Sequence, residues 1–165
     1  MQLVEFNQAS EADVKTFLKH CVQIESWANE LLSQRPYASL DSILEYAAQA
    51  ARTWSWEEIK SALDNHPRIG EKPTGQQAHA ALSRQEQSAI NDNDAQLVGA
   101  LRAGNARYEA RFGRVFLIRA KGRSPEAILQ ALEQRLTNSD AEEAAEALVQ
   151  LREITLLRLA GVIGE

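Results

Sequence analysis

Three clusters in the sequence carry groups suited to proton transfer or polar recognition. The first is His66-Pro67-Arg68-Ile69-Gly70-Glu71. Proline disfavours helical backbone in the residue before it, so His66 is turned out of the preceding helix on a stiff backbone, which suits a positioned acid or base. An ordinary helix stop with a solvated histidine accounts for the same residues. The second cluster, Ser83-Arg84-Gln85-Glu86-Gln87, crowds a hydroxyl, a carboxylate and an amide at one helix start. A capping box explains Ser83 and Glu86 completely, with Gln87 on the surface. Both readings can hold together, because a helix N-terminus facing a pocket offers unpaired amides to a carboxylate or carbonyl. The third cluster is Asn105, Tyr108, Phe112, Gly113, Phe116, Leu117 and Ile118. Its aromatics, four residues apart, fit a core stripe. Gly113 also permits a chain reversal, after which an opened backbone from Phe116 to Ala120 could present carbonyls and amides to a flat, amide-rich ring.

Other chemistries find less support. The histidines, His20, His66 and His79, lack the i, i+4 pairing on one helix that a zinc site commonly uses. No G-x-S-x-G elbow, G-x-G-x-x-G fingerprint or P-loop is present. The expectation is therefore a site without metal or nucleotide.

The elements that must position these groups read as helices separated by caps. Ser10 and Asp13 open a segment with Val14, Phe17, Leu18 and Cys21 at helical spacing, and a second segment runs from about Val22 to Ser33, before Pro36. From Ser39 to Thr53, Leu40, Ile43, Leu44, Ala47, Ala48 and Ala51 recur as one buried stripe. Ser55 and Glu58 form a capping box for a short helix ending at His66-Pro67. Arg68 to Gln76 is a loop, Gln77 to Leu82 a possible turn, and Ser83 begins a helix reaching about Asn91. The pattern from Asp94 to Ile118 is helical with a break near Arg111–Val115. Ser124-Pro125-Glu126 combines a capping serine, a first-turn proline and an acid, and starts a helix ending near Asn138. Ser139 or Asp140 caps a long final helix with Ala144, Leu148, Leu151, Ile154, Thr155 and Arg158 on one side. The expected fold is all-α, a single-domain bundle of roughly eight helices over residues 1–165.

Composition agrees with this picture. A chain of 165 residues with 44 % hydrophobic content can build one sizeable core. Its net charge of −5, from 18 basic and 23 acidic residues, argues against nucleic acid or anionic lipid as partner. The lone Cys21 allows no intrachain disulfide and reads as a small buried hydrophobe. The first residues lack a basic-then-apolar leader, no long apolar run is present, and the last three residues are no peroxisomal signal, so the expected location is the cytoplasm.

Taken in order, H-P-x-x-G at His66, S-x-x-E-Q at Ser83 and N-x-x-Y-x-x-x-F-G-x-x-F at Asn105 resemble the OHCU decarboxylases. That family converts 2-oxo-4-hydroxy-4-carboxy-5-ureidoimidazoline (OHCU) into (S)-allantoin in urate degradation. The resemblance spans nearly the whole chain and includes the arginine of Leu157-Arg158-Leu159; Arg68 and Glu71 stand where other members often differ. It implies an all-α, dimeric enzyme using neither metal nor organic cofactor. It also implies that His66 is the catalytic histidine and that Glu86 and Gln87 are the polar pair facing substrate. Pro67, Ser83, the Phe116–Ala120 backbone (Phe116, Ile118, Arg119, Ala120) and Arg158 would line the site.

On that resemblance the substrate ring supplies its own electron sink. Electrons left by departing CO₂ flow into the adjacent ring C=N bond, and the resulting enol becomes allantoin once a proton reaches the neighbouring carbon. The protein must hold the ring, desolvate the carboxylate and protonate one face. An imidazole, with an ordinary pKa of about 6.5, suits exchange of the 4-hydroxyl proton in either direction. Glu86 in a first helical turn would stay ionised and accept N–H bonds, with Gln87 completing the amide pattern. Arg158 would screen or grip an anionic oxygen, although a salt bridge to an acid of the last two helices explains it equally. Two rival classes are a non-catalytic helical interaction module, which needs an exposed apolar helix face, and a metal-dependent hydrolase using two histidines with Glu71 or Glu86.

Overall fold

The computed structural model describes residues 1–64, 66, 68 and 95–164. Among the described residues there are eight helices and no strand. The chain divides into two compact units, Met1–Ala62 with Arg152–Glu165, and Leu63–Leu151.

In the first unit, α1 (Leu3–Gln8) has no counterpart in the sequence pattern. Its N-cap, Gln2, makes no side-chain capping bond. The Leu3 amide instead donates to the Gly164 carbonyl at 2.7 Å, and the Gly164 amide donates to Met1 O at 3.0 Å. At its other end, Arg35 Nη1 donates to the carbonyls of Phe6 and Ala9 at 3.0 and 2.8 Å. Six residues are too few to hold a helix by propensity, so these tertiary bonds and the buried Phe6 hold it.

The next helices begin where their caps place them. Ser10 caps α2 (Glu11–Lys19) by accepting the Asp13 amide, and Ser39 caps α4 (Leu40–Ala51) by accepting the Ser42 amide, each at 3.1 Å. The α4 face centres on Ile43, Ala47, Ala50 and Ala51, with Leu44 and Ala48 half-buried at its edge. Between these two, α3 (Glu25–Ser33) buries Trp27, whose indole N–H donates to the Ala47 carbonyl at 3.1 Å and whose ring meets Trp54 edge-on.

Both halves of the Ser55–Glu58 capping box form at the start of α5 (Trp56–Leu63), at 2.9 and 3.1 Å. The Ser26 hydroxyl also donates to Glu58. That bond first, then the Ser55 amide, holds the Glu58 carboxyl below its ordinary pKa of 4.5. A lowered folded-state pKa means the stabilisation is complete above that value and fades as pH falls through the depressed one. Ser26→Ala should therefore narrow the stability gap between pH 6 and pH 3, measured by urea unfolding at both.

The second unit contains α6 (Ala95–Phe112), α7 (Pro125–Arg135) and the first half of α8 (Asp140–Val162). The helix expected from Asp94 to Ile118 stops at Phe112, inside the anticipated break. Gly113 adopts φ +72°, a left-handed conformation that costs glycine little, and its amide donates to the Glu109 carbonyl at 2.8 Å. Ser124 caps α7 by accepting the Ala127 amide at 3.1 Å, with Pro125 in the first turn. Ser139 and Glu142 form a two-way capping box at the head of α8.

The core of this unit joins Leu101, Tyr108, Phe116, Ile118, Ala120, Ile128 and Leu132. Gly104 is packed so closely on α7 that a Cβ there would lie 2.5 Å from Cδ2 and 3.2 Å from Cγ of the fully buried Leu132. Gly104→Ala should thus destabilise the protein by about 1–3 kcal/mol through overpacking, despite alanine's better helix propensity, as chemical denaturation would show. In the first half of α8 the buried face runs through Glu143, Ala147 and Gln150, one residue before the expected Ala144 and Leu148, which are half-buried. The shift arises because two polar side chains, Glu143 and Gln150, are drawn inward by hydrogen bonds.

Candidate active site

His66 follows α5, and its amide donates to the Leu63 carbonyl at 3.1 Å, extending the helix end by a turn. The residue is only 9 % exposed, so the solvated helix stop allowed by its sequence context is corrected to a buried histidine. Two residues on, Arg68 faces Glu109 of α6: Nε lies 3.1 and 3.0 Å from the two carboxylate oxygens, and Nη2 lies 2.9 Å from Oε1. Both side chains are partly exposed, so this pair adds little stability. It does tether the chain beyond His66 to the helix that carries Tyr108.

Beyond Gly113 the chain leaves helical conformation through Phe116–Ala120, where Phe116, Leu117, Ile118 and Ala120 are buried and Arg119 half-buried. Three side chains grip this backbone. Arg135 Nη1 donates to the Leu117 carbonyl at 2.6 Å. Gln150 Oε1 accepts the Arg119 amide at 2.8 Å, and Gln150 Nε2 donates to Glu146 at 2.9 Å. Arg123 Nε donates to the Arg119 carbonyl at 2.9 Å.

Arg135 is itself held by a buried polar cluster. Its Nε donates to Glu143 Oε1 at 2.8 Å, and its Nη2 pairs with the same oxygen. The Tyr108 hydroxyl donates to that oxygen at 2.6 Å, and Asn138 Nδ2 donates to Oε2 at 3.0 Å. The guanidinium also lies 4.6 Å from the centroid of the Phe116 ring, a cation–π contact that adds to the grip. Burial first, then the bond to Glu143, pushes the Tyr108 hydroxyl well above the usual phenol range, so it remains a donor.

The structure places His66 and the Phe116–Ala120 backbone in the second unit. Arg158 belongs to the first, buried, with Nη1 donating to the carbonyl of the buried Cys21 at 3.3 Å. Pro67, Ser83, Glu86 and Gln87 lie outside the described residues, as does Glu71. Sequence reasoning missed Arg135, Glu143 and Gln150. The one signal available was polar residues at positions that continue an apolar helical stripe.

The profile of the OHCU decarboxylase family matches residues 7–160. A 2-oxo-4-hydroxy-4-carboxy-5-ureidoimidazoline decarboxylase of Amia calva is 34 % identical, over 99 % of this chain and 95 % of its own length. The corresponding decarboxylase of Haloferax volcanii is 29 % identical over 81 % of this chain and 78 % of its own. A uric acid degradation bifunctional protein of Bacillus sp. (strain TB-90) is 25 % identical; the chain spans 33 % of its length. Among solved structures, OHCU decarboxylase crystallised in the presence of (S)-allantoin superposes with a TM-score of 0.73 at 24 % identity, over 88 % of this chain and 96 % of that one. At that identity the likeness carries the helical fold, while the family match over almost the whole chain carries the assignment. The chain belongs to the OHCU decarboxylase family.

Proposed function

We propose that this protein decarboxylates OHCU to (S)-allantoin, using neither metal nor organic cofactor, as a cytoplasmic homodimer. The family match over residues 7–160 carries this reading, and a buried histidine at the first motif supports it. In the reaction His66 takes the 4-hydroxyl proton as the C–C bond to the carboxylate breaks. The bonding pair moves into the ring, the ring nitrogen of the C=N bond takes up a proton, and CO₂ leaves. Delivery of one proton to the ureido-bearing carbon then yields allantoin. A buried imidazole has little water to compete for the transferred proton, which favours directed exchange.

Glu86 and Gln87 accept from and donate to the ring and ureido amides, and Pro67 and Ser83 contribute to substrate binding. The backbone at Phe116, Ile118, Arg119 and Ala120 supplies further amides and carbonyls, held in place by Arg135, Gln150 and Arg123. Arg158 grips an anionic oxygen, with the Cys21 carbonyl fixing one end of its guanidinium.

The test is circular dichroism of the allantoin formed from freshly generated OHCU in chelator-treated buffer. Faster formation of optically active product supports stereospecific, metal-free decarboxylation. Slow racemic decay, unchanged by folded protein, would overturn the proposal.

A further inference from the structure

The bonds gripping the Phe116–Ala120 segment aim groups that they do not touch. Neither peptide flanking Ile118 is cis. In a planar trans peptide the C=O and N–H point in opposite directions, so fixing one fixes the other. Arg135 Nη1 holds the Leu117 carbonyl, which turns the Ile118 N–H away from Arg135. Gln150 Oε1 holds the Arg119 amide, which turns the Ile118 carbonyl away from Gln150. Ile118 therefore carries a donor and an acceptor whose directions are set by Arg135 and Gln150. One donor beside one acceptor is the complement of an amide edge, such as the lactam or ureido edge of an imidazolone.

We propose that Arg135 and Gln150 are positioning residues, which aim the Ile118 N–H and C=O at the amide edge of the substrate. The inference rests on the decarboxylase reading and deepens it. Arg135 can play this part because it is not free to turn. Its Nε and Nη2 are bonded to Glu143, and Glu143 is held in turn by Tyr108 and Asn138. Gln150 is likewise anchored, its amide nitrogen bonded to Glu146 one helical turn earlier. Neither positioning residue is required to touch substrate.

The test compares steady-state OHCU turnover by three proteins. Gln150→Met keeps the side-chain length but removes the acceptor, freeing the Ile118–Arg119 peptide to rotate. The exchange Glu146→Gln with Gln150→Glu keeps an acceptor for the Arg119 amide and a donor–acceptor pair between the two side chains. For Gln150→Met, KM should rise about tenfold with kcat nearly unchanged, as expected for loss of one or two binding hydrogen bonds. The exchange should return KM to the wild-type value. A merely structural glutamine would lower the folded fraction, and so the apparent kcat, without moving KM.

A folded Gln150→Met protein with wild-type KM overturns the inference, as does an exchange variant with KM still raised. If Gln150→Met does not fold, Gln150→Ala, which equally lacks the acceptor, takes its place: a raised KM supports the inference and a wild-type KM overturns it. A wild-type protein that does not accelerate OHCU decay fails at the earlier step, and then the decarboxylase reading falls and this inference with it.

Discussion

His66→Asn should lower kcat for OHCU decarboxylation by about 10²- to 10⁴-fold, the range typical of losing a positioned acid–base group, while the helical CD spectrum stays unchanged. Asparagine has a similar polar reach and can keep a hydrogen bond, but it cannot exchange a proton near neutrality. The surroundings of His66 make the substitution clean. Its backbone is fixed by the Leu63 carbonyl, and the chain two residues on is tied to Glu109 by Arg68, so neither anchor depends on the imidazole. Stopped-flow measurement on freshly generated OHCU, with thermal unfolding of the same sample, separates chemistry from folding. Near-wild-type turnover by a folded variant would mean that the proton moves through another group.

The largest effect on stability is expected at Glu143. Glu143→Ala leaves the Arg135 guanidinium buried without its counter-ion and strips the Tyr108 hydroxyl and Asn138 of their acceptor. Removing one partner of a buried pair costs about 3–5 kcal/mol, because the surviving charge stays in a medium that solvates it poorly. For a chain of this size that corresponds to a fall in Tm of about 10 °C. Removing both charges with Arg135→Met and Glu143→Leu should recover much of the loss, since no uncompensated charge then remains. The double variant should nevertheless release the Leu117 carbonyl, so recovered Tm without recovered KM is the outcome that separates stability from substrate positioning.

The parts of the fold legible in the sequence were those with local causes. Ser10, Ser39, Ser55, Ser124 and Ser139 each cap a helix because a hydroxyl three residues before a backbone amide satisfies it whatever lies around it. Gly113 ends its helix because a left-handed residue there is cheap only for glycine. By contrast α1 is written in no local signal, since its first amide is satisfied by Gly164 at the far end of the chain. The Arg135–Glu143 pair was hidden for another reason. An arginine in the last turn of a helix and a glutamate in the first turn of the next each have a sufficient explanation in the helix dipole. Nothing local shows that they meet inside the core. His66 and the Phe116–Ala120 segment were found because proline and glycine mark the backbone there, whereas Gln150 sits mid-helix with no such mark.

The division into two compact units has a spectroscopic consequence. All three tryptophans, Trp27, Trp54 and Trp56, belong to the unit Met1–Ala62 with Arg152–Glu165, and Leu63–Leu151 contains none. Trp27 and Trp54 are buried and meet edge-on, so the tryptophan emission maximum monitors that unit alone. Backbone ellipticity, by contrast, senses helices throughout the chain. Superimposable denaturation curves from the two signals would mark the protein as one cooperative domain, whereas an ellipticity loss preceding the emission shift would mean that the tryptophan-free unit opens first.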